Sequence, residues 1–189
     1  MRVERNHVYM DKVLNKLDLF VCDFIDILEK HTKYVIVSGY VSILFGRSRS
    51  SEDVDILVEP LDESAFARLH SALLERFHAL NSDDRHELFA LLSSRHAIRY
   101  AYKDKVIPNM EVKFMRSPID KATMDAPILV HLNEKILFVG PLELQILFKE
   151  LVLKSDKDLE DALHLREVFK DSLSEESFKK YKALVERYG

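Results

Sequence analysis

With 189 residues, 47% of them apolar, a formal net charge of −4 and a single cysteine, the chain is long enough for one sizeable core. It has no basic excess for nonspecific nucleic-acid binding, and Cys22 alone excludes an internal disulfide framework or a thiolate metal centre. No apolar run reaches membrane-spanning length and no secretory leader opens the chain, so cytoplasmic residence is the expectation.

Val13, Leu14, Leu17, Phe20, Val21, Phe24 and Leu28 recur at helical spacing and predict one long amphipathic helix over about 8–29. A strand at Tyr34–Val37, a short helix at 40–45 and a strand at 54–58 follow. Asp62 then caps a helix running to about 77. Residues 81–92 suggest a short helix. Residues 96–102 and 110–115 alternate as strands, with a hairpin connection between them. Two more short strands fall at Ile128–Leu132 and Lys135–Val139, joined by Asn133-Glu134. From Pro141 the pattern is helical, at 142–153, 158–169 and 174–188. The expected class is α/β (α+β). Residues 1–140 form a core with a small mixed sheet, and residues 141–189 form a helical lobe packed on it.

The densest chemistry lies between Ser38 and Asp55. After the strand come small residues, a short apolar helix ending at Gly46, a polar loop with Arg49 and Ser51, and then Asp53-Val54-Asp55. Residues two apart on a strand share a face, so Asp53 and Asp55 project side by side. Such a pair repels unless a cation lies between them, and hard divalent ions are held by one or two carboxylates plus substrate phosphates. Gly39 allows the backbone to approach a phosphate closely, and the helix it opens offers N–H groups to an anion. Further on, Met110, Val112 and Phe114 alternate with Glu111 and Lys113. With the apolar set toward the core, Glu111 and Lys113 share the opposite face with Asp53 and Asp55, a plain solvated strand face being the alternative. Tyr40, beside Gly39, is the tyrosine best placed to stack a base.

At these residues the chain resembles the DNA polymerase beta-like nucleotidyltransferase superfamily, whose signature is Gly-Gly or Gly-Ser at a helix start and then Asp-x-Asp. Within it the nearer likeness is to minimal nucleotidyltransferases of the AbiEii type, toxins of type IV toxin–antitoxin pairs. Their motif reads Gly-Gly-x-Ala-(four residues)-Gly-x-x-Arg-x-Thr-x-Asp-x-Asp. Gly39, Gly46, Arg49, Asp53 and Asp55 fall in step with it. Ser51 stands in the Thr place, Ser38 in that of the first Gly and Val41 in that of the Ala. A second likeness is Lys149 followed by Lys157-Asp158-Leu159-Glu160-Asp161, where the family carries Lys-Asp-x-x-Asp at the start of a helix.

The resemblance implies a polymerase-beta-like core that moves a nucleoside monophosphate from an NTP to a hydroxyl on RNA, protein or a small molecule. It implies two Mg²⁺ ions, replaceable by Mn²⁺, on Asp53, Asp55 and Glu111. Ser38, Gly39, Tyr40, Arg49 and Ser51 then contact the nucleotide, and Lys149 contacts the triphosphate or base while Asp158 orients it. Implied partners are the NTP, a hydroxyl acceptor such as tRNA, and a cognate antitoxin or partner protein. Bland roles stay open for several of these: Arg49 pairing with Glu52 or Asp53, and Lys149–Asp158 tying two helices together. A non-catalytic binding or antitoxin-type member of the fold is one rival reading, and a metal-assisted phosphohydrolase is another.

Overall fold

A computed structural model describes all 189 residues, which fall into two units assembled from separated stretches of chain. The first takes Met1–Lys12, Val35–Arg49 and Arg116–Gly189; the second takes Val13–Tyr34 and Ser50–Met115.

In the first unit, strands β1 (Arg2–Glu4) and β2 (His7–Met10) pair antiparallel, and β2 runs parallel to β8 (Ile128–Leu132). The expected hairpin follows: β8 folds back antiparallel onto β9 (Lys135–Val139), with Asn133 at φ 55° in the turn. Asparagine tolerates that left-handed conformation better than most residues. Strand β3 (Tyr34–Val37) pairs with β9 in parallel and runs into helix α2 (Gly39–Leu44). Helices α5 (Pro118–Asp125), α6 (Leu142–Phe148), α7 (Asp156–Val168) and α8 (Glu175–Tyr188) complete the unit. Leu144 and Leu147 of α6 pack with Ile119 of α5 and with Tyr181 and Val185 of α8. Helix α6 does not continue regularly to residue 153. It passes at Lys149 into a π-helical turn, Lys149–Leu153, closed by Lys154 at φ 56°.

The second unit holds α1 (Lys16–Leu28), α3 (Glu63–Leu73), α4 (Arg85–Ser93) and four strands. Strand β4 (Asp53–Val58) lies parallel to β7 (Asn109–Phe114). Antiparallel to β7 runs β6 (Ile98–Tyr102), and β5 (Phe77–Ala79) pairs with β6. Phe20 and Phe24 of α1 pack edge-on against Phe77, while Phe77 stacks on Tyr102.

The N-terminal expectation needs correction. The helix foreseen over 8–29 starts only at Lys16. Asn15 caps it by accepting the Asp18 N–H, and Asp18 accepts the Asn15 N–H in return. Val8, fully buried, belongs instead to β2. The helix begun at Asp62 ends at Leu73, and Phe77 opens β5. Helix α5 was not foreseen, although Ser117-Pro118 with Asp120 is a capping box with proline in the first turn.

Candidate active site

Strand register brings the carboxylates of the second unit together. In the parallel pairing of β4 and β7, Asp53 stands opposite Asn109 and Asp55 opposite Glu111. Alternation then puts Asn109, Glu111 and Lys113 on the face that carries Asp53 and Asp55. Contacts bear this out: Lys113 Nζ lies 3.1 Å from Asp55 Oδ1 and 2.6 Å from Glu111 Oε1. From β6, Arg99 donates through Nε and Nη2 to Glu111 Oε2 at 2.9 and 2.6 Å. Ser51 Oγ donates to the Asp53 carbonyl at 2.8 Å and lies 3.3 Å from Asp53 Oδ1, which holds the start of β4.

The two partnered carboxyls are shifted in opposite directions. Burial pushes the Asp55 carboxyl up, and the neighbouring Glu111 and Asp53 charges push the same way, although Lys113 works against them. Burial also tends to raise Glu111, but hydrogen bonds and charge from Lys113 and Arg99 outweigh it and hold Glu111 below the usual carboxylate range. A carboxylate so held suits a ligand or an electrostatic anchor better than a proton acceptor.

A divalent cation fits the donors at the Asp53 end of this face. Asp53 and Asp55 supply carboxylate oxygens, and Asn109 Oδ1 is buried without a hydrogen-bond partner. As the side chains stand, no three His, Cys, Asp or Glu residues form a ready metal cage, for Lys113 bridges Asp55 and Glu111.

The first unit gathers a second group of charges. Asp161 on α7 is fully buried and accepts from three cations: Arg47, Arg49 Nη1 at 2.7 Å and Lys149 Nζ at 2.8 Å. Lys149 is only 2% exposed and also reaches Asp158 Oδ1 at 3.3 Å. Arg47 additionally pairs with Glu160 and donates to the Lys157 carbonyl at 2.9 Å. The π-helical turn begins at Lys149; such irregular turns are frequent at functional sites. Lys149 and Asp158 thus come together as expected, but Asp161 is the stronger partner. Asp161, Arg47, Arg99 and Lys113 join these two charge groups without having been expected as site residues. The signals were present, since Asp161 ends the Lys-Asp-x-x-Asp run and Arg47 follows Gly46 directly.

The turn before α2 explains its small residues. A Cβ added to Gly39 would meet the Arg49 guanidinium at 3.2 Å, so glycine lets Arg49 lie across the start of α2. Ser38 sits at φ 65°, ψ −139°, a region glycine occupies freely, and its N–H donates to Gln145 Oε1 at 3.0 Å. Its hydroxyl forms no cap on α2. Tyr40 is fully buried in the core, so its ring is closed to a base, contrary to the stacking role expected of it. A serine in this backbone conformation costs ~1–3 kcal/mol, against ~0.5–1 for the greater freedom of an unfolded glycine. Ser38→Gly should therefore stabilise the fold by ~1 kcal/mol and raise the melting temperature by ~2–4 °C. A lowered melting temperature in a thermal scan would show that the serine is not strained.

No protein-family model matches the chain, and no curated protein matches it in sequence. Solved structures do match in fold. An antigenic nucleotidyltransferase-like protein from Paracoccidioides brasiliensis superposes with a TM-score of 0.55 at 14% identity, over 89% of this chain and 86% of that one. The antibiotic-resistance factor ANT(2'')-Ia, in its solution structure, superposes with a TM-score of 0.52 at 11% identity, over 89% and 90%. The chain therefore has the mixed α/β fold of nucleotidyltransferase-like proteins. No helix is long and apolar enough to cross a membrane.

Proposed function

We propose that the chain is a divalent-metal-dependent nucleotidyltransferase, moving a nucleoside monophosphate from an NTP to a hydroxyl acceptor. The observation that carries this reading is the β4–β7 register, which sets Asp55 beside Glu111 two residues from Asp53 in a chain with this fold. Asp53 and Asp55 would hold Mg²⁺, which when bound neutralises phosphate charge and polarises the phosphoryl group. Arg49 offers a planar fork to phosphate oxygens, and Asp161 fixes its orientation. Glu111, pinned by Arg99 and Lys113, keeps the carboxylate face in register. The acceptor oxygen bonds to the α-phosphorus as the bond to pyrophosphate breaks, and the acceptor's proton passes to water. The likeness of the 38–55 stretch to AbiEii-type enzymes favours RNA, tRNA in particular, as acceptor and a toxin-like role with a cognate antitoxin.

One observation favours the non-catalytic alternative: both oxygens of Glu111 are already engaged by cations. Nucleotide binding and turnover together separate the two. At a hundredfold excess over Kd, an NTP with Mg²⁺ should stabilise the native state by ~2.7 kcal/mol. For a chain of this size that raises the melting temperature by ~5–10 °C. The shift should require the metal, and labelled nucleotide should appear on an acceptor when total RNA and cell extract are added. A metal-dependent shift without any labelled product would favour the binding protein. No shift with any of the four NTPs would sink the nucleotide reading.

A further inference from the structure

The carboxylate face carries its own cations at the place where a second metal ion would have to sit. Lys113 Nζ bridges Asp55 Oδ1 at 3.1 Å and Glu111 Oε1 at 2.6 Å, the bridging position of an ion shared by two carboxylates. Arg99 takes the remaining Glu111 oxygen through two nitrogens. Together Lys113 and Arg99 bring two positive charges, as many as one divalent ion, and they leave Glu111 no oxygen without a charged donor. At the other end of the same face, the Asp53 carboxylate accepts from the Ser51 hydroxyl and feels the Arg99 charge, and Asn109 Oδ1 lacks a hydrogen-bond partner.

We propose that Lys113, assisted by Arg99, permanently fills one of the two cation positions, so that the chain takes a single divalent ion, at Asp53, Asp55 and the Asn109 side-chain oxygen. This rests on the nucleotidyl-transfer reading and changes its metal count. Lys113 is then a positioning residue that replaces an ion, and Glu111 serves as its anchor. Two-metal sites clamp the attacking and the leaving oxygen with one ion each. An ammonium contributes charge and hydrogen bonds at its position, but it offers no vacant coordination place to an oxygen.

The test counts ions. The full-length protein is titrated with Mn²⁺ in the presence of a non-hydrolysable analogue of each of the four NTPs in turn. Free Mn²⁺ is read by electron paramagnetic resonance against the analogue alone. Wild-type protein should bind one ion per chain and Lys113→Ala two, whereas Lys113→Arg, which keeps the charge, should stay at one. Circular dichroism establishes that the variants are folded, and the wild-type count stands even where a variant is not. Two ions on the wild-type protein, or one on both wild type and Lys113→Ala, would overturn the inference and leave nucleotidyl transfer intact. No ion on either protein, with any analogue, would instead overturn the metal-dependent reading on which it rests.

Discussion

Asp161→Ala protein should lose ~3–5 kcal/mol of folding stability, the largest single-residue effect expected in this chain outside the hydrophobic core. Asp161 is fully buried and accepts from Arg47, Arg49 and Lys149, so its removal takes a shared counter-charge from three cations at once. Lys149 suffers most: at 2% exposure it would keep only Asp158, 3.3 Å away. The cost comes from leaving a buried ammonium short of its counter-charge, rather than from losing an attraction of that size. Lys149→Met in the same background should therefore recover part of the loss, because an apolar side chain of similar length needs no counter-charge. Denaturant titration of the two single variants and the double variant measures this coupling directly. A single-variant loss below ~1 kcal/mol, the range of an exposed ion pair, would mean that solvent reaches the group.

Asp53→Asn should reduce nucleotide transfer by ~10²–10³-fold or more while leaving the melting temperature near that of the wild type. A metal ion contributes several kcal/mol of transition-state charge stabilisation, and each 1.36 kcal/mol is tenfold in rate. Stability should hold because the side chain keeps its Oδ1, the atom that Ser51 approaches at 3.3 Å, while the repulsion between Asp53 and Asp55 is relieved. The metal-dependent thermal shift on adding NTP should disappear in the same variant. Full activity with an intact fold would remove Asp53 from the site, and unfolding would assign it to the scaffold.

Period-two alternation made much of the second unit legible. It placed Glu111 and Lys113 on one face and Asp53 with Asp55 on one face, and the parallel register of β4 and β7 joined these pairs. The hairpin of β8 and β9 was equally plain, with Asn133 marking its turn. What the sequence hid depends on distant partners. Val8, Tyr9 and Met10 read as the start of a helix because apolar residues continue beyond them, and only pairing with β8 makes them a strand. Arg47 and Arg49 sit in a loop whose local pattern says nothing of Asp161 more than a hundred residues later. Lys149 looked like a positioned lysine, but its complete burial follows from how α6 and α7 pack and from the π-helical turn between them. Tyr40 invited a stacking role from its place beside Gly39, whereas the fold spends its ring on the core.

The parallel pairing of β2 with β8 also fixes an order of events during synthesis. Val8 is synthesised well over a hundred residues before its partner Val130. Until then the β1–β2 hairpin has no further strand to join, and closing so long a loop is slow compared with forming helices and hairpins. Refolding should accordingly show helical signal well before β2 is protected from hydrogen exchange. A nascent chain halted short of residue 130 should leave β2 open to protease.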